Sequence, residues 1–244
     1  VKQDLNGTVQ WQVVIGGSGD DACTGVCVDA AGNVYMTGYF SGSNASFTGT
    51  SGSAQTMTSA GARDIFVVCY NASGVLQWKN RAGAASDDQG SSICCAGGNV
   101  YVGGLFMGSP TIAGLATSSS AAAVTNRTHA FLAAFQSSNG AGIWRVDGAN
   151  GENSSINAVA TDGSAVYAFG EHKGTTYTFQ NSSSSVNASL ATIGGNLSSD
   201  ILCLSTAGSF NWTQAVANPG SDNIAALGLA SSSAALFIAG STHN

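Results

Sequence analysis

The apolar residues of this chain fall in short runs separated by clusters of Gly, Asn, Asp and Ser. Many runs alternate apolar with polar side chains and are rich in Val, Ile, Phe and Tyr. Such runs predict β-strands, because alternate side chains of a strand point to opposite faces of a sheet. The polar clusters have the composition of tight turns. No segment keeps a 3.6-residue apolar period, so almost no helix is predicted.

The strand-like runs belong to a longer repeat that the four tryptophans mark. These are Trp11, Trp78, Trp144 and Trp212. Their spacings are 67, 66 and 68 residues. An apolar residue follows each Trp after fifteen positions, and a run that closes on Gly comes next, such as NVYMTG (33–38). A constant period of this length indicates a repeat architecture. Four strand-like runs per repeat predict four antiparallel strands in each unit.

Radial repetition of four-stranded units predicts an all-β protein, a single β-propeller domain (1–244) with four blades of four antiparallel strands. The predicted blades are residues 22–79, 90–146, 155–216, and 223–241 together with 1–14. The two chain ends would share the last blade and so close the ring. The tryptophans are expected to pack between sheets on the outer strands rather than to stack on a ligand.

Two stretches carry a resemblance to a known family. They are GSGDDACTGVCVDAAGNVYMTGYF (17–40) and DIFVVCYNASGVLQWKN (64–80). Both are similar to the SBBP β-propeller repeat, which runs Asp-Asp, Gly-Asn-Val-Tyr-Val-Thr-Gly, Asp-x-Phe-Val and Gly-x-x-x-Trp. The likeness is close in the first two repeats, looser in the third and weak in the fourth. It implies a propeller fold and extracellular display, and it carries no shared catalytic residues.

Charge is scarce, which narrows the classes of partner. Charged residues make up 8% of the chain, against a usual quarter, and seven basic against thirteen acidic residues give a net charge of −6. This balance argues against nucleic acid and against an anionic membrane surface. The chain has no run of eighteen apolar residues, so membrane insertion is not predicted. A surface so poor in charge is expected to be covered by glycans or by neighbouring subunits.

Nine Asn-X-Ser/Thr sequons favour the glycans, since the Asn, Ser and Thr content would give about four by chance. The alternative is a Ser-rich chain with accidental sequons. Glycosylation would make the protein secreted and extracellular. The lack of an initiator Met or signal-like start is consistent with a mature or partial product. The predicted glycosylation sites are Asn6, Asn44, Asn71, Asn126, Asn153, Asn181, Asn187, Asn196 and Asn211.

Among the six cysteines, Cys27 and Cys94 occupy the same repeat position, and Cys95 faces the opposite way from Cys94. A disulfide between Cys27 and Cys95 of adjacent blades is one interpretation, if their Cα atoms lie within about 7 Å. Burial of free thiols among apolar side chains is the other.

Acidic side chains recur ten positions after three of the tryptophans, at Asp21, Asp88 and Asp222, whereas the third repeat has Ser154 there. Carboxylates near the central axis make a weak Ca²⁺ hypothesis. Bonding to backbone N–H groups at a strand entry is the simpler role. No cofactor is predicted.

No sequence motif of an enzyme is present, and the three histidines lie in unrelated contexts, so no enzyme is predicted. The cluster Glu171, His172 and Lys173 is interpreted as a solvated charge run at a loop edge. Three long Ser/Thr-rich segments, 41–63, 107–128 and 172–199, are predicted to form a decorated face with small extra strands.

These features favour a structural, N-glycosylated extracellular protein that builds a filament, appendage or coat. Its predicted partners are copies of itself and N-linked glycans. The alternative is a carbohydrate- or protein-binding propeller module of the lectin or adhesin type.

Overall fold

A computed structural model describes residues 1–118, 126–149, 153–173, 176–181, 186–191, 197–216, 224–231 and 235–242. Within these ranges the chain forms β-strands only, and no helix there could span a membrane. The strands are β1 (Lys2–Gln3), β2 (Val9–Trp11), β3 (Ile15–Gly16), β4 (Ala22–Val28), β5 (Val34–Ser41), β6 (Ala45–Phe47), β7 (Gln55–Met57), β8 (Arg63–Tyr70), β9 (Leu76–Ala82), β10 (Gln89–Ala96), β11 (Asn99–Phe106), β12 (His129–Gln136), β13 (Gly142–Ala149), β14 (Ser154–Thr161), β15 (Ala165–Lys173), β16 (Thr176–Asn181), β17 (Val186–Ala191), β18 (Leu197–Ser205), β19 (Phe210–Val216), β20 (Ile224–Ser231) and β21 (Leu236–Thr242). The all-β prediction is confirmed.

Three four-stranded antiparallel units follow one another along the chain. Unit 1 has the order β4-β5-β8-β9, unit 2 is β10-β11-β12-β13, and unit 3 is β14-β15-β18-β19. The strands β20 and β21 pair with each other and correspond to the inner half of a further unit. The period of the tryptophans therefore does mark one sheet per repeat, with each Trp on an outer strand.

Consecutive units pack through their first strands, in the order β4, β10, β14 and β20. Between units 1 and 2 lies a core that includes Tyr35, Val67, Val102 and Phe131. Between units 2 and 3 lies an equivalent core that includes Tyr101, Leu132, Val166 and Leu202. Both faces of the middle strands are therefore apolar, and strand β8 is buried along almost its whole length.

Each first strand carries a β-bulge opposite the glycine that closes the second strand's apolar run. The bulges lie at Cys23/Gly25, Gly90/Ser92, Ile156/Ala158 and Ala226/Gly228, opposite Gly38, Gly104, Gly170 and Gly240. Close approach of the two backbones explains the glycine. A Cβ on Gly38 would lie 1.9 Å from the carbonyl oxygen of Ala22, and one on Gly104 would lie 2.1 Å from that of Gln89.

Insertions from one unit reach back to the unit before it. Strand β16 of unit 3 pairs with β13, the outer strand of unit 2, and β17 extends that sheet to six strands. In the same way β6 pairs with β3, which follows β2 in the chain. Small strands are therefore present in two of the three long segments. In the segment 107–128, the described residues form only a bridge between Ile112 and Leu115.

The predicted closure of a ring by the two chain ends is not found, and the described strands form no closed sheet. Strands β1 and β2 make a sheet of their own, as do β20 and β21. Each half is held by a different neighbour. Lys2 Nζ and Trp11 Nε1 both donate to the carbonyl of Ala72 in unit 1, at 2.9 Å. Strand β20 instead packs on β14 of unit 3.

The bulge geometry predicts that Gly104→Ala destabilises the protein more than the equivalent Gly170→Ala. At Gly104 the new methyl would lie 2.1 Å from the Gln89 carbonyl oxygen, whereas at Gly170 the nearest atoms, the Ser155 carbonyl oxygen and Cδ1 of Ile156, lie 2.8 Å away. Overpacking of this kind costs about 1–3 kcal/mol or more. Chemical denaturation of both variants measures the difference, and equal losses would contradict this account of the glycines.

Candidate functional site

The contact between consecutive units is built around the repeated tryptophan. Three indole N–H groups donate to a backbone carbonyl of the next unit. The pairs are Trp11 to Ala72 at 2.9 Å, Trp78 to Ser137 at 2.8 Å, and Trp144 to Thr206 at 2.9 Å. Each indole also covers a turn glycine with positive φ. A Cβ there would come within 2.6–2.8 Å of the ring at Gly74, Gly140 and Gly208.

Trp212 is the exception among the four. It lies on β19 and packs on Tyr167 with 6.3 Å between the ring centroids, yet 45% of the residue is exposed. Its Nε1 has no hydrogen-bond partner within the described part of the chain. The predicted packing role therefore describes three tryptophans, and the fourth stands at a surface.

The leading end of the array is defined by Val26 and Val28 of β4. Here the apolar residue fifteen positions after the Trp is exposed, whereas its equivalents in units 2 and 3 are buried. Val26 is 60% exposed, whereas Ile93 and Val159, also fifteen residues after a Trp, are 6% and 5% exposed. The reason is position, because Ile93 and Val159 pack against the preceding unit and no unit precedes β4.

At the trailing end, defined by Phe237 of β21 and Trp212, the same contrast appears. Phe237 is the third residue of its run, as Tyr35 and Tyr101 are of theirs. The two tyrosines are 1% and 0% exposed, but Phe237 is 64% exposed. Both ends thus expose side chains whose equivalents form the internal contacts.

The first strands of units 1 and 2, β4 and β10, are in direct contact. The hydroxyl of Thr24 donates to the carbonyl of Gly90 at 2.6 Å, and a Cβ on Gly25 would lie 3.2 Å from the backbone nitrogen of Ile93. Two residues further on, the thiol of Cys27 faces that of Cys95. Both cysteines are free and half-buried.

The two thiols interact, and this interaction raises the pKa of Cys27 and lowers the pKa of Cys95 below its usual range, because it favours the Cys95 thiolate. A groove of about 400 Å³ lies beside the pair and is lined in part by Asp29, Cys95, Asn99 and Ser137. Cys94 belongs to the opposite core, as its alternation with Cys95 predicts.

The recurrent acids bind backbone at strand entries. Asp21 accepts from Gly17 N at 2.7 Å and Ser41 N at 3.2 Å. Asp88 accepts from Ala84 N and Met107 N, at 2.8 and 2.9 Å. This is the simpler of the two predicted roles. Among the described residues no group of three His, Cys, Asp or Glu side chains could hold a metal ion.

Asp222 lies outside the described residues. In the third repeat, Ser154 occupies the corresponding place, and its Oγ accepts from Ala130 N at 2.9 Å.

Burial gives Asp88 an unusual electrostatic state. Its side chain is fully buried and faces no cation directly, so desolvation raises the pKa of Asp88 to about 6, although the two backbone N–H groups oppose this. The loop acid Asp162 is the opposite case. N–H groups of Ala165 and Ser164 and the hydroxyl of Tyr167 lower its pKa.

Unit 3 contains a buried polar cluster that sequence reasoning missed. His172 pairs through Nδ1 with Asp200 and stacks on Tyr177 with ring centroids 4.5 Å apart. Tyr177 donates to Ser154 Oγ at 2.5 Å. All four residues are at most 4% exposed. Nε2 of His172 has no hydrogen-bond partner among the described residues, so His172 and Ser154 are joined only through the ring of Tyr177.

The interpretation of 171–173 as a solvated loop edge is wrong. These residues end β15, and His172 is buried. The signal was available in the repeat. His172 occupies the place of Phe106 in unit 2, two residues after the closing glycine, and Asp200 pairs with Gly170 as Phe131 pairs with Gly104. An aromatic pair in one unit is a His–Asp pair in the next.

The predicted glycosylation sites divide by exposure. Five are exposed, namely Asn6, Asn44, Asn126, Asn153 and Asn211. Asn71 and Asn181 are half-buried, and Asn71 Oδ1 accepts from Ser73 N and Val75 N at 3.0 Å. Asn196 lies outside the described residues, as does the side chain of Asn187.

Comparison with known proteins adds no family to these observations. No protein-family model matches the chain, and a search of curated proteins finds no similar sequence.

The thiol geometry predicts a disulfide between Cys27 and Cys95 on treatment with oxidised glutathione. The Cys95 thiolate attacks the glutathione disulfide and releases one glutathione thiol, and Cys27 then displaces the second. One protein disulfide and two glutathione thiols result, and the two cysteine protons end on the two glutathione thiols. Non-reducing peptide mapping should find the cross-link in Cys94→Ser but not in Cys95→Ser. A bridge from Cys27 to Cys94, or two unmodified thiols, would contradict the prediction.

The raised pKa of Asp88 predicts a pH dependence with a definite sign. Between about pH 4 and pH 6 the folded protein holds this proton more tightly than the unfolded chain, so Asp88 stabilises at low pH and loses that contribution as the pH rises. The unfolding free energy of wild type relative to Asp88→Asn should fall by about 2 kcal/mol across this window. Asp162→Asn is the control, because the pKa of Asp162 is lowered, so its contribution is lost only as the pH falls below about 4 and stays nearly constant across this window. A flat difference for Asp88→Asn would refute the account.

Proposed function

We propose that this chain is a structural protein of the extracellular space, and that copies of it assemble into a filament, appendage or coat. One observation carries the proposal. Positions buried in every contact between units, represented by Ile93 and Tyr101, are exposed at the two ends of the array as Val26 and Phe237. Exposed apolar side chains that cluster on one surface mark interaction sites in proteins, and each end exposes at least two of them, Val26 with Val28 and Phe237 with Ile238.

Scarce charge supports the same conclusion. With 8% charged residues, the chain has few means of keeping exposed apolar side chains dispersed in water. Neighbouring copies would cover these ends and remove them from solvent.

We further propose that the units are blades of a β-propeller-like array of the SBBP type. The support is the succession of first strands β4, β10, β14 and β20, together with a bulge at the same place in all four. Radial stacking of short antiparallel sheets protects their edges.

N-linked glycans are proposed to cover the remaining surface and to place the protein outside the cell. Exposure of Asn44, Asn126 and Asn153 supports modification at these three sequons, whereas Asn6 and Asn211 are also exposed but lie at the two ends of the array, beside the surfaces that neighbouring copies would cover. A glycan is bulky and solubilising, so it needs an exposed Asn.

A carbohydrate- or protein-binding module is the second candidate, and the groove beside Cys95 is the feature that favours it. Its polar groups are already engaged within the chain. Asp29 accepts from Asn33 and from the hydroxyl of Tyr35, and the Asn99 amide donates to Tyr101. Few donors or acceptors remain to fix a ligand, and the assembly proposal is therefore preferred.

The proposal predicts that the chain, secreted from a eukaryotic host, carries N-glycans at the exposed sequons and forms particles larger than one chain. Intact mass before and after enzymatic deglycosylation measures the attached glycans. Light scattering over a concentration series measures the size of the particles. A glycan-free protein that stays monomeric at high concentration would overturn the proposal. Saturable binding in a glycan array would favour the binding module.

A further inference from the structure

We propose that copies of the chain join head to tail, with Trp212 of one copy seated on the turn Asp4–Thr8 of the next. The inference rests on the proposed assembly function and names its contact. It depends on the contact that the structure makes three times within one chain and that both ends leave unmade.

The turn Asp4–Thr8 has the same backbone conformation as the turns that contact a tryptophan within the chain. Its two backbone hydrogen bonds, of 3.0 Å each, match those of the turn Asn71–Val75, which holds Trp11. Gly7 has a φ of +82° and Gly74 a φ of +79°. Around a Cβ on Gly7 nothing lies within 4 Å, whereas one on Gly74 would lie 2.8 Å from Trp11. The turn is therefore shaped for an indole and has none over it.

The carbonyl that would accept the indole N–H is also exposed. Leu5 takes the place in its turn that Ala72 takes in the turn of unit 1, and Leu5 is fully exposed. Trp212 supplies the donor, since its Nε1 has no partner among the described residues and its side chain stands at the surface. Donor and acceptor are complementary halves of one contact.

The surfaces beside this contact complement each other as well. Strands β20 and β21 of one copy form the inner half of a unit, and β1 and β2 of the next copy form an outer half. With Trp212 on the turn, Phe237 would face the exposed Val26, as Tyr35 and Tyr101 face the following units within the chain. One composite unit would then continue the array across the junction.

A second copy fits this geometry better than the same chain does. Strands β1 and β2 form one sheet and β20 and β21 another, and the two sheets do not pair with each other among the described strands, so we assign the missing half of the unit to another copy. A contact between two different surfaces propagates from copy to copy and gives a filament or a larger ring.

Two variants, each of which removes one half of the contact, test the inference in the 244-residue chain. Trp212→Ala removes the donor and leaves the turn. Gly7→Ala places a methyl where the equivalent glycines have an indole, at a site where the isolated turn has open space. The control for the strain of Ala at positive φ is Gly52→Ala, because Gly52 has a φ of +84° and equally open surroundings.

Light scattering is expected to show association of wild type and Gly52→Ala, and association at least about tenfold weaker for Trp212→Ala and for Gly7→Ala. An equimolar mixture of the two defective variants should form a dimer and nothing larger. In that dimer, Trp212 of the Gly7→Ala chain contacts the intact turn of the other chain. Each outer end carries a substitution and cannot bind a further copy. Circular dichroism checks that both variants are folded, and the mixed dimer itself requires both to be native.

Three outcomes separate this inference from the proposed function. If wild type stays monomeric, both are overturned. If wild type assembles and the two variants assemble equally well, the head-to-tail contact is wrong while the assembly function stands. If the mixture yields no dimer although each variant is folded, the two sites are not halves of one contact, and closure within a single chain becomes the explanation of any defect.

Discussion

Packing of each unit's first strand against the next unit is the interaction on which the rest of the structure depends. The middle strands are apolar on both faces. A single unit would therefore leave the side chains on one face, such as Val102, in water. Stacking removes both faces from solvent, and the protein behaves as a repeat array in which each unit is stable only beside another. The bulge and its glycine bring the backbones of the first two strands together. The indole of Trp78 or Trp144 then joins the outer rims of adjacent units.

An array of this kind has two unsatisfied ends by construction. The residues exposed there are the ones that the repeat buries elsewhere, which is why Val26 and Phe237 differ so sharply in exposure from Ile93 and Tyr101. Burial of apolar area contributes about 25 cal/mol per Å², so several large side chains left in water make association favourable. The same interface thus explains both the stability of the chain and the assembly proposed for it.

Unit 3 departs from the repeat in a way that has physical consequences. His172 and Asp200 replace an aromatic pair, and buried polar groups of this kind must recover their desolvation cost through close contacts with each other. Tyr177 stacks on the histidine and bonds to Ser154, which holds the cluster together. Unpartnered Nε2 of His172 and Oδ1 of Asp200 make this the least satisfied part of the described core.

Sequence alone determined the strands, the period and the tryptophan positions, because alternation and spacing follow directly from the order of the residues. Alternation also suggested a bridge between Cys27 and Cys95 beside the alternative of buried free thiols; both cysteines are free in the structure, and the bridge stays a prediction. Only the tertiary structure decided that β1 and β2 form a separate sheet from β20 and β21, the first in contact with Ala72 and the second with β14. The partners of His172 were also decided by the tertiary structure, although its alignment with Phe106 in the repeat already indicated that it is buried. A charged-looking triplet reveals its surroundings only when the strands beside it, β14 and β18, are in place.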